Sequence, residues 1–331
     1  MGRSRLATTL VAAAVAAGWA SPAMAQDGIA QPGQAAADHA AEQPGPPEQG
    51  PTQPSGAWPL QEGHVPSYKA PPKYQTVVRG EIQDNDPIGE YGQPRWTAWR
   101  LFPTTRVYVV PAGTVQLEFW LDTLLPFSDP DEVRFRGLYE LEIGLGHRLQ
   151  LDLYLRTEQK GYQGKLELES EKLELRWALA DWGVIPGNPT LYLELSRFTE
   201  GPMTLEAKVL LGGNLASRTH WGVNLVFERD LGGTHLYNQY GVTAGLSYVV
   251  LDRTFSLGAE LQFESADGGR NDRGSLSEAK LLAGPSLQWR PVPPVHVDLV
   301  ALFGGLGGRS DTGDFEWRAG MRPLLVVGCE L

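Results

Sequence analysis

Apolar and polar residues alternate with a period of two over much of this chain. The pattern is clearest in residues 139–158, YELEIGLGHRLQLDLYLRTE, where it is interrupted around residues 146–148. Successive side chains of a β-strand point to opposite faces, so this stretch predicts an antiparallel hairpin with one apolar and one polar face. A soluble β-sandwich produces the same alternation, so one hairpin does not show what the apolar face contacts.

About twelve segments follow the same rule, each near the roughly 9 to 11 residues that a tilted membrane strand requires. An even number of strands also suits a closed barrel. Their apolar positions lie within residues 115–121, 139–145, 149–155, 173–179, 191–195, 205–211, 221–227, 240–248, 255–263, 281–289, 295–303 and 325–331.

The links between these segments favour a membrane barrel over a soluble core. Long polar links such as 122–133 and 264–278 alternate with compact ones such as 146–148 and 250–253. Outer-membrane barrels have this asymmetry, with long loops outside the cell and short turns in the periplasm. The phase of the alternation places both ends of the barrel segment on the periplasmic side.

Aromatic residues of the apolar parity fall at the ends of the segments, as two membrane-interface girdles would require. One predicted girdle lies near the short turns, and the other lies near the long links. The first group is Trp177, Trp221, Tyr248, Phe255 and Trp289, and the second is Phe227, Tyr240, Phe263, Phe303 and Trp317.

The opposite parity is polar and predicts a wet lumen. A lysine or arginine facing lipid at the midplane costs about 2–4 kcal/mol, so these side chains must face water or ion pairs. The predicted lining is mostly negative, which indicates a mild preference for cationic or neutral solutes. The predicted pore-lining residues are Glu140, Glu142, Asp152, Arg156, Glu174, Arg176, Glu194, Glu206, Lys208, Glu228, Glu260, Gln262, Glu264 and Asp298.

Two places break the regular pattern. The apolar parity switches between Leu168 and Leu173, which predicts a β-bulge or the membrane edge near residues 170–172. Pro285 lies on the apolar parity of its segment and cannot donate a ladder hydrogen bond, which predicts a second local irregularity.

The first third of the chain has a different character. Residues 1–25 have the basic start, apolar run and Ala-Met-Ala end of a signal peptide. Residues 26–75 are rich in Pro, Gln and Ala and predict a disordered linker, whereas residues 105–331 form the predicted barrel. Residues 76–104 are assigned as a periplasmic transitional segment, which we expect to lie on the surface; the alternative is a plug that enters the lumen.

Bulk properties exclude some functions. The formal net charge is −11, which argues against nucleic-acid binding. The single cysteine, Cys329, excludes an intramolecular disulfide bond. The sequence contains no Walker, zinc or dinucleotide motif, so we expect no cofactor.

Several stretches together resemble a known family. They are LEIGLGHRLQLDLYL (141–155), LELRWALADWGVIPGNPTLYLELSR (173–197), LEAKVLL (205–211) and GPSLQWRP (284–291). Over residues 104–331 the chain resembles the outer-membrane barrel family named for meta-pathway phenol degradation. The resemblance implies a passive channel or transporter, some of whose relatives are associated with aromatic-compound metabolism, and it does not imply catalysis.

Two features are compatible with other chemistry. His296 and Asp298 lie two residues apart on one face, as either a satisfied polar pair or a catalytic dyad. Paired inward carboxylates occur in glycosidases, but here they recur on nearly every strand, which favours an ion-paired lumen. The acidic long links hold either solvated side chains or divalent cations that bridge lipopolysaccharide.

The sequence therefore predicts an all-β protein, a closed antiparallel up-and-down transmembrane β-barrel of about twelve strands in the cell outer membrane. We expect a non-enzymatic channel for small molecules, including aromatic or hydrophobic ones. The alternatives are a non-conducting structural barrel with a periplasmic interaction arm and, third, a lipid-acting barrel enzyme. The expected partners are outer-membrane lipid, lipopolysaccharide, the barrel assembly machinery and small-molecule solutes.

Overall fold

The computed structural model describes residues 82–128, 132–232, 236–267, 276–309 and 313–331. The predicted signal peptide (1–25), the predicted linker (26–75) and residues 76–81 lie outside the described residues. Two single-turn 3-10 helices, Gln83–Asn85 and Arg95–Ala98, precede the barrel. No helix of the described residues is long and apolar enough to cross a membrane.

Twelve of the described strands form one closed antiparallel barrel. Each pairs with its neighbours in sequence, and the last pairs back with the first, for example Leu325 with Leu121. The predicted all-β closed barrel of twelve strands is confirmed. The strands are β1 (Pro87–Ile88) and β2 (Gln93–Pro94), which form a separate hairpin, and the barrel strands β3 (Val115–Pro126), β4 (Arg134–Gly146), β5 (Leu149–Lys160), β6 (Leu166–Ala178), β7 (Thr190–Phe198), β8 (Thr204–Ala216), β9 (Thr219–Asp230), β10 (Asn238–Leu251), β11 (Phe255–Asp267), β12 (Leu276–Val292), β13 (Val295–Arg309) and β14 (Phe315–Glu330).

The registers keep like residues on one face of the sheet. Leu141 lies opposite Leu153, and Glu142 lies opposite Asp152. The apolar set faces outward and is exposed, while the polar set faces inward and is largely buried. Exposed aromatic side chains stand near both ends of the outer surface, and they include Trp177, Tyr248 and Trp289 at one end and Tyr240, Phe303 and Trp317 at the other.

The two ends of the barrel differ. At one end, here called the turn end, the strands are joined by links 147–148, 217–218, 252–254 and 293–294. His147 and Arg148 have φ of 53° and 61°, as the central residues of a two-residue type I′ turn must. The link 179–189 is a long exception at this end. The opposite end, the loop end, carries links 127–133, 161–165, 199–203, 231–237, 268–275 and 310–314.

The two predicted irregularities have different forms. The register between β5 and β6 shifts where Arg156 pairs with Ser170 and Thr157 pairs with Leu168, so Glu169 is the extra residue of a bulge. Pro285 causes no shift on either side. The β12–β13 register is the same before and after it, but residues 284 and 285 have no partner on β13.

Residues 82–114, here called the inner segment, lie inside the barrel. Their side chains and backbone contact inward-facing residues on strands around the whole circumference, from Glu118 on β3 through Asn214 on β8 to Gln288 on β12. The expectation that residues 82–104 lie on the surface is therefore wrong, and the plug alternative describes them. Residues 105–114 also belong to the inner segment, because the first barrel strand begins only at Val115.

Candidate functional site

The inner segment is held by two arginines that enter a group of glutamates on β3 and β4. Arg100 Nε lies 2.8 Å from Glu118 Oε2, and Arg100 Nη2 lies 3.0 Å from Glu140 and 3.2 Å from Glu142. Arg106 also contacts Glu142. All five side chains are at most about one-tenth exposed. The two guanidinium groups of the inner segment therefore balance two of the three carboxylate charges. The Arg100 guanidinium also lies 3.9 Å from the Trp120 ring centre.

A patch of glycines lets the inner segment approach the wall closely. A Cβ atom at Gly245 would lie 2.5 Å from the Phe102 ring, and one at Gly222 would lie 2.9 Å from Val107. A Cβ atom at Gly212 would also collide with Val107. Because β8, β9 and β10 each have a glycine at this level, Phe102 and Val107 pack directly against the backbone of these strands.

A second set of bonds fixes the start of the inner segment at the turn end. Asp84 accepts two hydrogen bonds from Arg290, of 3.0 and 2.6 Å. Asp252, in the β10–β11 turn, accepts the backbone N–H groups of Gln83 and Asp84 at 2.9 and 3.0 Å. The Arg290 guanidinium lies 4.5 Å from the Trp99 ring centre. Charge-assisted, bidentate bonds of this kind are strong, so residues 82–86 are anchored.

The long link 179–189 packs against the inner segment at the turn end. The Trp182 ring makes edge-to-face contacts with Trp96 and Tyr108, at 5.7 and 5.3 Å between ring centres. The Tyr108 hydroxyl donates a 2.6 Å hydrogen bond to the Ala180 carbonyl. Burial raises the pKa of Tyr108 to about 12. The exceptional length of this link thus serves to cover the base of the inner segment.

Between the inner segment and the loop end lies a polar cavity of about 930 Å³, here called the vestibule. Arg100, Pro103, Thr104 and Arg106 line its inner end. Among the described residues, thirteen basic and eight acidic side chains line it, so the expectation of a mostly negative lining is wrong for this space. The sequence pattern missed the basic residues near the strand ends and those that the inner segment adds.

The fourteen predicted lining residues divide into two groups. Nine line the vestibule: Arg156, Glu174, Arg176, Glu194, Glu206, Lys208, Glu228, Gln262 and Glu264. The other five do not line it and lie at the level of the inner segment: Glu140, Glu142, Asp152, Glu260 and Asp298. Glu260 accepts hydrogen bonds from the backbone and the hydroxyl of Thr104, at 2.8 and 2.5 Å. A pore-lining role for all fourteen residues stays a prediction.

Two groups with possible chemistry are occupied by other contacts. Glu118, Glu140 and Glu142 lie close enough together to bind a cation. However, the guanidinium groups of Arg100 and Arg106 already fill the space between them. His296 lies between Asp298, at 2.5 Å, and Glu118, at 3.4 Å, and is 3% exposed. These contacts are those of a buried ion-pair network that faces the lumen.

Comparisons with known proteins are limited to solved structures of low similarity. No protein-family model and no curated protein matches the chain. A structure described as the NanC porin is 10% identical, covering 66% of this chain and 100% of its own, with a TM-score of 0.44. An outer membrane channel from Pseudomonas putida F1 is 12% identical over 68% and 98%, with a TM-score of 0.47. OmpT of Vibrio cholerae is 9% identical over 66% and 96%, with a TM-score of 0.34. The resemblance to the phenol-degradation family stays a prediction.

Proposed function

We propose that this protein is an outer-membrane β-barrel channel for small molecules, seen here with its lumen closed by the inner segment. The observation that carries the proposal is the contrast between the two faces of one closed sheet. The outer face exposes leucines and aromatic rings, whereas the inner face surrounds a polar vestibule. Only hydrocarbon outside and water inside satisfy both faces together.

The location follows from the same contrast. In lipid, backbone hydrogen bonds must be made within the protein, and a closed barrel leaves no free strand edge. The aromatic residues at the two ends of the outer face suit the two headgroup regions of a bilayer. We therefore propose outer-membrane lipid and lipopolysaccharide as the surroundings, with export and the barrel assembly machinery as further expectations.

The channel of this proposal is gated. The inner segment lies between the vestibule and the turn end, so passage requires it to move. Its contacts with β3, β4, β11 and β12 are largely ion pairs and hydrogen bonds. Charges on both surfaces regain water when they separate, which lowers the cost of opening relative to an apolar interface. The vestibule itself has room for a small solute.

A disulfide lock tests the proposal. The hydroxyl oxygens of Thr105 and Thr243 lie 2.9 Å apart, so cysteines at both positions come within reach of an S–S bond. We expect Thr105→Cys/Thr243→Cys in a Cys329→Ser background to be silent in planar bilayers when oxidised and to conduct when reduced. Thr105→Cys/Cys329→Ser, which lacks the second thiol, should conduct under both conditions.

The alternative is a structural barrel that never conducts. The dense contacts of the inner segment and the cover provided by link 179–189 favour it. Silence of the reduced double-cysteine variant, in a preparation that is folded by heat-modifiable gel migration, would support this alternative and refute the channel. The buried position of His296 offers no support for the third possibility, a lipid-acting enzyme.

A further inference from the structure

One wall of the vestibule carries an excess of positive charge. It is formed at the loop end by the strands β4, β5 and β6. The residues of this wall, here called the basic wall, are Arg134, Arg136, Arg156 and Lys160, together with the carboxylates of Glu158 and Glu169. All four basic residues line the vestibule.

Two carboxylates serve these four cations. Glu158 lies 3.0 Å from Arg136, 3.9 Å from Arg134 and 3.7 Å from Lys160. Glu169 lies 2.6 Å from Arg156 and 3.8 Å from Arg136. Within 4 Å the wall therefore has two more positive than negative groups; Glu167, directly opposite Glu158 on β6, forms no ion pair with these four cations.

The neighbouring strand does not remove this excess. Asp122 on β3 is directly opposite Arg136. It already accepts two hydrogen bonds from Arg322, of 2.8 and 2.7 Å. Arg322 and Asp122 thus form a neutral pair beside the basic wall.

Two of the like charges lie opposite each other on neighbouring strands. Arg134 and Lys160 are directly opposite each other on β4 and β5. Like charges in such a cross-strand pair destabilise a sheet. Their side chains are about half and three-quarters exposed, so neither supports the packing of the barrel. Because Arg134, Lys160 and Arg136 share the single Glu158 carboxylate, this pair can still attract a ligand of opposite charge.

The deeper members of the wall are fixed in position. The bulge at Glu169 turns its carboxylate into the lumen, where it holds Arg156 and Arg136. Arg156 also lies 5.4 Å from the Phe198 ring centre. A guanidinium held in this way presents its remaining N–H groups in the planar fork that suits a carboxylate or phosphate.

Another part of the vestibule, beginning two strands beyond β6 in the barrel, has the opposite character. Glu206 and Glu228 are directly opposite each other on β8 and β9. Lys208 forms an ion pair with Glu206 at 2.6 Å, and Lys172 forms one with Glu194 at 2.6 Å. An anionic group in the vestibule is therefore drawn to the basic wall and repelled from the β8–β9 side.

We propose that the basic wall is a binding subsite for small anionic solutes that carry a carboxylate, phosphate or sulfate group. The inference deepens the proposed function and rests on it for the idea that the bound solute is cargo. Anions of lipopolysaccharide share this chemistry, but the four side chains face the vestibule and not the outer surface.

Local reactivity tests the site without any need for conduction. Leu138 lines the vestibule directly opposite Arg156, and Val226 lines it on β9 opposite Lys208, next to the Glu206–Glu228 pair. In a Cys329→Ser background, Leu138→Cys should react faster with an anionic methanethiosulfonate than with a cationic one. Val226→Cys should show a lower preference for the anionic reagent.

A matched charge change makes this test specific. Arg134→Gln/Lys160→Gln removes two charges and breaks only two long contacts of the wall, those of 3.9 and 3.7 Å to Glu158. It should slow the anionic reagent at Leu138→Cys about threefold at low salt, from Coulomb's law in water for two charges about 13 Å away, four residues along the strand at about 3.3 Å each. Lys165→Gln/Arg197→Gln removes two exposed charges that do not line the vestibule and should leave the rate unchanged. A cationic preference at Leu138→Cys, or equal loss in both double variants, would overturn the proposal.

The reversal potential in a KCl gradient gives the second measurement. The reduced Thr105→Cys/Thr243→Cys/Cys329→Ser channel should favour chloride over potassium, and Arg134→Gln/Lys160→Gln should reduce that preference. If the reduced variant does not conduct but the thiol reactivities are as expected, the channel is refuted and the anion site is still supported. Conduction that favours potassium, with thiol rates unaffected by the double variant, would refute the site and leave the channel. If both results hold in bilayers without lipopolysaccharide, the basic wall binds anions other than those of lipopolysaccharide.

Discussion

Replacing Arg100 by Met should open the proposed channel, because it leaves the glutamates that contact the inner segment without their main partner. Arg100 reaches Glu118, Glu140 and Glu142 at 2.8, 3.0 and 3.2 Å, and its side chain is 4% exposed. Removing one partner of a buried ion pair costs about 3–5 kcal/mol, because the other charge stays buried and unpaired.

This cost applies only while the inner segment is seated. Once the segment has left, the glutamates are hydrated whether or not Arg100 is present. The equilibrium between seated and displaced states therefore shifts by the whole amount, about a hundredfold or more at 1.4 kcal/mol per tenfold change. The strands of the barrel lose no contact among themselves, so heat-modifiable gel migration should stay that of a folded barrel.

The assay is the fraction of time that single channels are open in planar bilayers. Arg197→Met is the matched control, because its pair with Glu171 is exposed and such pairs contribute about 0–1 kcal/mol. Adding Glu140→Gln to Arg100→Met removes one charge of each sign and should restore much of the closed state. An Arg100→Met channel that opens no more often than Arg197→Met would refute the role of this ion-pair group in closure.

Three further changes probe other parts of the structure. Gly245→Val should displace Phe102 at a cost of about 1–3 kcal/mol from overpacking, so the open fraction should rise. Adding Phe102→Ala should relieve the overpacking, and Gly308→Val, whose side chain meets open space, should have no effect. Leu261→Arg, on the exposed outer face, should lower the free energy of unfolding by about 2–4 kcal/mol in lipid, whereas Val226→Arg, in the vestibule, should be tolerated. Equal losses of stability in denaturant titrations of the two variants would contradict the membrane topology. Burial raises the pKa of Tyr108 from 10.0 to about 12, so its contribution to stability is complete below about pH 10 and is lost as the pH rises through 12. In an ultraviolet titration, Tyr108→Phe should remove one tyrosine that ionises near pH 12. An unchanged titration curve would contradict the burial of Tyr108.

The barrel could be predicted from the sequence because its pattern is local and repeated. Each strand must place apolar side chains on one parity, and the pairing of Leu141 with Leu153 and of Glu142 with Asp152 follows from that rule. The bulge near residue 170 was also predictable, since a change of parity within one strand requires an extra residue. The effect of Pro285 was milder than expected: the proline sits where ladder bonds to β13 are absent, so no shift is needed.

The inner segment could not be predicted in the same way because its contacts are specific to individual residues and span long distances along the chain. No periodicity relates Asp84 to Arg290, or Arg100 to Glu140. One signal was present: the predicted lining had a surplus of carboxylates, while arginines occurred in the stretch just before the barrel. The excess positive charge of the vestibule was hidden for a related reason, since it depends on which acids the inner segment covers.

Both ends of the inner segment lie at the turn end, and only the bend between Arg100 and Arg106 reaches the vestibule. A force that pulls on the chain before Ile82 would therefore act first on the hydrogen bonds between Asp84 and Arg290 and then on the ion pairs of Arg100. The contacts of the residues just before β3 would bear the force last. Bonds that break one after another yield to a smaller force than bonds that break together. Because the segment doubles back on itself, a pull at the turn end would remove it without drawing it through the length of the barrel.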